Sequence, residues 1–137
     1  MTLSKYCRRH QFKRLNDFEA KRVFKQVVDG VRYIHSMGYC HRDLKMTNIL
    51  IDHLEVVKII DFGFSSEGYK KQKMYCGTPS YMAPEIIDRR VYIGVYVDMW
   101  ALGVVLYKLL TGEYPFGGKY KICLFLAEDD EKLADNI

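Results

Sequence analysis

Between Asn16 and Gly38 the apolar residues return every three or four positions. Ala20, Val23, Phe24, Val27, Val31 and Ile34 fall on one face, which is the period of an amphipathic helix. Asn16 and Glu19 have capping-box spacing, in which each side chain accepts from the other residue's free backbone amide, and Gly38 supplies a stop. Two β-branched runs follow, Asn48–Ile51 and Val56–Ile60, with polar Asp52, His53 and Glu55 between them. They predict a short antiparallel hairpin. From Asp61 to Pro84 the period vanishes among Gly, Ser, Lys and Tyr residues, so a long loop, ordered or switchable, is expected. Val97 to Leu110 is apolar on nearly every side and predicts a helix buried all round, a central pillar. No repeat or linker interrupts the pattern, and one structural unit is expected.

Composition agrees with a single globular core: 137 residues, 49% hydrophobic and 28% charged, exclude a disordered chain. The apolar stretch Trp100 to Tyr107 stops at Lys108 and is too short to cross a bilayer. Met1 is followed by a polar, basic stretch and not by the apolar core of a signal peptide. A soluble protein of the cell interior, cytoplasmic or nuclear and without a membrane partner, is therefore expected. Cys7, Cys40, Cys76 and Cys123 show no C-x-x-C spacing and read as reduced thiols. A net charge of +4 is too small to argue for a nucleic-acid partner. The basic stretch Met1 to Arg32 and the acidic run Glu128 to Glu131 read as solvated faces, with docking of an acidic partner as the alternative.

The candidate chemistry gathers around the hairpin. If Ile51 pairs near Val56, antiparallel geometry brings Asn48 close to Ile59 and sets Asp61 beside the loop His41 to Thr47. Asn48 and Asp61 are hard oxygen donors of the kind Mg²⁺ takes. Asp43 is a carboxylate within reach of the same point, and Lys45 adds a positive charge. Phosphoryl transfer needs this combination, because positioning and charge neutralisation do most of its work.

The order of three motifs sharpens the reading. His41-Arg42-Asp43-Leu44-Lys45-Met46-Thr47-Asn48, Asp61-Phe62-Gly63 and Ala83-Pro84-Glu85 resemble the H-R-D-L-x-x-x-N, D-F-G and A-P-E motifs of the eukaryotic protein kinase family. The resemblance runs from about Leu3 to about Gly118, making residues 1–118 a partial kinase domain and 119–137 a divergent tail. It implies a mainly α fold, the large carboxyl-terminal lobe, with the short β-hairpin carrying the metal ligands. It further implies that Asp43 is the catalytic base, that Lys45 neutralises the γ-phosphate of ATP, and that Asn48 and Asp61 hold Mg²⁺. Leu50 would lie beneath adenine, while Gly77 and Thr78 would bind the protein substrate. His41 and Phe62 would be packed spine residues, and Asp98 would anchor the catalytic-loop backbone.

Lys45 together with Gly77-Thr78-Pro79-Ser80-Tyr81 is similar to the serine/threonine-specific pattern. Asp61-Phe62-Gly63-Phe64-Ser65 and Tyr75-Cys76-Gly77-Thr78-Pro79 look most like the calmodulin-dependent and AMP-activated branch. No Gly-rich loop or lysine-bearing strand precedes the catalytic loop, so the β-rich ATP lobe is expected to be absent from these residues. The chain alone is then expected to be inactive, with an exposed lobe interface that a partner could cover. A catalytically inactive scaffold derived from a kinase half stays open as the alternative function; a small-molecule phosphotransferase is disfavoured by the segment Gly77 to Glu85. In the family Glu85 meets an arginine from later helices, yet no arginine follows Arg90; Glu85 is therefore expected to be exposed or to borrow Lys119 or Lys121. Met74 stands where the branch commonly carries a threonine whose phosphate pairs with the arginine matching Arg42. The loop is thus expected to be ordered without phosphate, by packing of Met74 and Tyr75.

Overall fold

The computed structural model describes residues 1–116. Two long helices, α2 (Asp17–Ser36) and α4 (Gly94–Thr111), pack against one another and carry the fold. The capping box forms as its spacing requires: Glu19 N donates to Asn16 Oδ1 at 2.9 Å and Asn16 N to Glu19 Oε2 at 3.2 Å. Gly38, at φ +84°, turns the chain away after the helix. Ala20, Val23, Val27 and Val31 are buried along α2, opposite Ala101, Leu102, Val105 and Leu109 of α4. The short helix α1 (Leu3–Cys7) adds Leu3 and Cys7 to this core.

The hairpin forms from β2 (Ile49–Ile51) and β3 (Val57–Ile59). Its turn is one residue longer than expected, with Ile51 opposite Val57 and Ile49 opposite Ile59. Asn48 therefore faces Ile60, whose N donates to Asn48 O at 2.9 Å. Gln26 of α2 pins the hairpin: its Oε1 accepts from Val57 N at 3.1 Å and its Nε2 donates to Glu55 O at 2.9 Å.

Two further expectations are corrected. The described chain is partly helical with small sheets rather than mainly α. Besides the hairpin, β1 (Tyr39–Cys40) pairs with β4 (Ser66–Glu67), and β5 (Lys71–Gln72) pairs with β6 (Tyr92–Ile93). Such two-residue ladders fix the segment after Asp61 at two places, and strands so short leave no alternation to read. Nor is α4 buried all round. Tyr96, Met99, Gly103 and Tyr107 form an exposed stripe at helical spacing, because apolar residue types alone do not say which face is covered. The 18 residues of α4 are long and apolar enough to cross a bilayer, although the stretch Trp100 to Tyr107 within them is not; its other faces are buried in the core. Helix α3 (Pro84–Ile87) and two single-turn 3₁₀ helices, Gln11–Lys13 and Pro79–Tyr81, complete the described elements. The tail 119–137, with Cys123, lies outside the described residues.

Cys7 gives this core a titratable marker. Burial, reinforced by nearby Glu19 and opposed by Lys108, pushes its thiol up from 9.0 to about 11. The folded state thus holds the neutral thiol more strongly than the unfolded chain does, and that contribution is complete below the unfolded value. It is lost as pH rises from 9.0 towards about 11. Stability to urea should fall across this window, and Cys7→Ala, though less stable at neutral pH through its small cavity, should show a shallower alkaline decline.

Candidate functional site

The site begins with one buried carboxylate. Asp98, on the second turn of α4, is 1% exposed and accepts three hydrogen bonds: from His41 N at 2.8 Å and His35 Nε2 at 2.8 Å on Oδ2, and from Arg42 N at 2.8 Å on Oδ1. Arg42 consequently sits at φ +66°, a left-handed conformation that a non-glycine residue keeps only under restraint. His41 is fully buried and bridges onward. Its Nδ1 accepts from Asp43 N at 3.2 Å, which leaves Nε2 as the donor to Ile60 O at 3.0 Å. The loop between β1 and β2 is thereby tied to α4 on one side and to the end of β3 on the other.

On that frame the polar side chains converge. Asp43, 6% exposed, accepts from Thr78 Oγ1 at 2.7 Å on Oδ1. Its Oδ2 meets Lys45 Nζ at 2.7 Å and Asn48 Nδ2 at 3.1 Å. Lys45 Nζ also donates to Thr78 Oγ1 at 2.8 Å, which closes a ring of Asp43, Lys45 and Thr78. Asn48 Nδ2 reaches Asp43 O as well, at 3.0 Å, so the amide nitrogen faces Asp43 and the amide oxygen remains as a donor atom for a cation. Thr78 comes this close because Gly77 has no side chain. At φ +109° a Cβ on Gly77 would lie 2.9 Å from Arg42 O, a separation that real Cβ atoms do not show.

Asp61 follows Ile60 directly and adopts φ +65°. It is exposed, and among the described residues its Oδ1 accepts only a long bond, 3.4 Å, from Gly63 N. Asn48 and Asp61, on adjacent chain ends joined by the Ile60 N to Asn48 O bond, make a pair of hard oxygen donors. Among the described residues no cluster of three or more His, Cys, Asp or Glu side chains could hold a metal ion. Mg²⁺ does not demand such a cage, since it keeps waters and shares phosphate oxygens, and this donor set fits it. Leu50 is half-buried, on the opposite side of β2 from buried Ile49 and Ile51.

Several expected placements change. His41 and Phe62 meet edge to face with ring centroids 5.0 Å apart, but Phe62 is 47% exposed, so it is covered on the His41 side and is no core residue. Glu85 is half-buried in α3 and makes no ion pair among the described residues; Lys119 and Lys121 lie outside them. Met74 and Tyr75 are 53% and 44% exposed and are not packed into the core. Arg42 is instead held by neutral groups, Phe64 O at 2.6 Å, Gln72 Oε1 and Tyr92 OH. His35, Gln72 and Tyr92 were not among the expected site residues. His35 lies on the periodic α2, where its polar side chain reads as surface, and Gln72 and Tyr92 are joined only by the β5–β6 ladder.

A family model described as "Protein kinase domain" matches residues 1–134. The chain is 46% identical over 107 residues to the serine/threonine-protein kinase SRK2C of Arabidopsis thaliana, covering 75% of this chain and 31% of that protein. It is 46% identical over 106 residues to the CBL-interacting serine/threonine-protein kinase 8 of Arabidopsis thaliana, covering 75% and 24%. To the serine/threonine-protein kinase SIK3 homolog of Danio rerio it is 42% identical over 135 residues, covering 88% and 11%. The chain thus spans a third or less of the length of these relatives.

Asp98→Asn tests the frame. The substitution keeps the shape but turns one acceptor oxygen into a donor facing other donors, and a buried charged acceptor lost in this way should cost roughly 3 kcal/mol. Urea unfolding of the variant should show that loss, whereas the same substitution at exposed Asp88 should leave the midpoint nearly unchanged.

Proposed function

The chain belongs to the protein kinase domain family, and on that premise we propose that it carries the phosphoryl-transfer machinery of a serine/threonine protein kinase, within that enzyme's large carboxyl-terminal lobe. The carrying observation is the ring of Asp43, Lys45 and Thr78, closed by contacts of 2.7, 2.7 and 2.8 Å. Its substrates are ATP and a protein bearing a serine or threonine hydroxyl. The relatives named as serine/threonine-protein kinases support that acceptor class, as do Lys45 and Thr78.

Asp43 acts as the base, and its two oxygens are unequally loaded. Oδ2 already accepts from Lys45 and Asn48, whereas among the described residues Oδ1 accepts from Thr78 alone, so Oδ1 keeps a lone pair for the proton of the attacking hydroxyl. As that oxygen bonds to the γ-phosphorus, the bond to the bridging oxygen of ADP breaks and Asp43 holds the proton. Lys45, with one ammonium hydrogen beyond its two contacts, faces the charge of the transferring group. Asn48 and Asp61 would hold Mg²⁺, which when bound neutralises phosphate charge. Gly77 and Thr78 set the acceptor peptide against Asp43, and Leu50 supplies the aliphatic surface beneath adenine. The same reading places the protein in the cytoplasm or nucleus.

In the full-length protein, Asp43→Asn should lower kcat on a serine peptide by about 10²–10⁴-fold, with KM for ATP changed little because the removed group is the base. Serine, threonine and tyrosine peptides assayed in parallel should show transfer to the first two. Undiminished turnover by Asp43→Asn would remove Asp43 from the role of base.

A further inference from the structure

We propose that Gln72 is the positioning residue that orders the segment 61–84 through Arg42, with no need of a bound or attached anion. Arg42 is a half-buried cation that makes no ion pair among the described residues. A guanidinium in that setting is costly unless its N–H groups are satisfied. Here neutral acceptors do this: Nε donates to Phe64 O at 2.6 Å, one terminal nitrogen to Gln72 Oε1 and to Tyr92 OH at 3.3 Å, and the other to Met74 Sδ at 3.8 Å. Phe64, Gln72 and Met74 are spread along the segment, so one side chain from the 41–48 loop gathers it.

Gln72 is the member that both ends of an amide suit. Its Oε1 accepts from Arg42 and from Ser66 Oγ at 2.9 Å, and its Nε2 donates to Glu67 O at 2.7 Å. A carboxylate could replace the first half and would repel the carbonyl at the second. Its backbone stands opposite Tyr92 in the β5–β6 ladder, and Tyr92 OH donates to Met74 O at 2.7 Å. Burial, with a contribution from Cys76 and against the pull of Arg42, pushes that hydroxyl up to about 12, so it stays a donor. Four of the five guanidinium N–H groups thus meet neutral acceptors, and the lysines nearby, Lys70, Lys71 and Lys73, are exposed.

This inference deepens the kinase reading and rests on it for the link to catalysis, so the test has an arm that does not need activity. Hydrogen exchange of the full-length protein should show backbone amides of residues 64–76 losing protection by at least about tenfold in Gln72→Ala, the scale of a lost hydrogen bond to a charged group. In an Arg42→Ala background the same substitution should change exchange several-fold less than in the wild type, only the Ser66 and Glu67 bonds being left to lose, because residues acting through one another are not additive. Phosphatase treatment of the wild type should leave this exchange unaltered. If Gln72→Ala also loses protection in α2 and α4, Gln72→Met, close in volume, carries the same cycle. Additive effects of Gln72 and Arg42, or loosening of the segment by phosphatase, would overturn the proposal. Absence of turnover on a serine peptide by the wild type would overturn the kinase reading and leave the exchange result standing.

Discussion

The structure depends first on the carboxylate of Asp98. It is buried on a helix that is otherwise almost wholly apolar, and it is satisfied there by two backbone N–H groups and one imidazole. Charge-assisted bonds of this kind contribute about 1.5–3 kcal/mol each, which outweighs the roughly 1–3 kcal/mol of holding Arg42 in a left-handed conformation. The reverse arrangement is not stable: without the bonds, Arg42 relaxes and the loop loses its shape. Asp98 can serve only because α4 packs on α2, which delivers His35 to the same oxygen. The apolar core and the polar site are therefore one construction.

Geometry is then handed outward in steps. Arg42's backbone points its carbonyl at Gly77, where only a glycine fits, and that approach brings Thr78 onto Asp43. Arg42's side chain runs the other way and collects Phe64, Gln72 and Tyr92. A single residue thus couples the loop that bears the base to both halves of the segment that follows Asp61. This explains why a stretch with no periodicity has a defined course: its order comes from side-chain hydrogen bonds and two short ladders, each anchored to an element that the helices already fix.

How much of this could be read from the sequence follows from the range of each interaction. The α2 helix, its capping box and the hairpin are local and periodic, so Asn16, Glu19 and the valines of α2 announce them. The motifs likewise name Asp43, Lys45, Asn48 and Asp61, because each stands at a fixed spacing within a short stretch, whereas Asp98 lies outside them and comes only from the wider resemblance. The hairpin register differs from expectation by one residue, since β2 and β3 are three residues long and a run beginning at Val56 does not show that exposed Val56 belongs to the turn. Gln72 was invisible for a stronger reason. Its significance arises from contacts 30 residues away at Arg42 and 6 away at Ser66, and its own neighbours carry no pattern. The exposed stripe of α4 was hidden because tyrosine and methionine count as apolar whichever side they face.

The restraint on the site is also uneven, and the unevenness follows from the same bonds. Two non-glycine residues with positive φ bracket the hairpin, Arg42 at +66° and Asp61 at +65°. Arg42 is held by a buried carboxylate on its backbone and by several acceptors on its side chain. Asp61 has one 3.4 Å contact to Gly63 N and lies exposed. Asp43 inherits the rigidity of the first, being linked to His41, Lys45, Asn48 and Thr78, so the base is set in place by the protein alone. The carboxylate of Asp61 has no comparable partner among the described residues. Under the kinase reading its orientation is left to what it binds, a cation shared with phosphate oxygens, and that division suits the chemistry: a proton acceptor must be positioned before the hydroxyl arrives, whereas a metal ligand can complete its geometry with the ion.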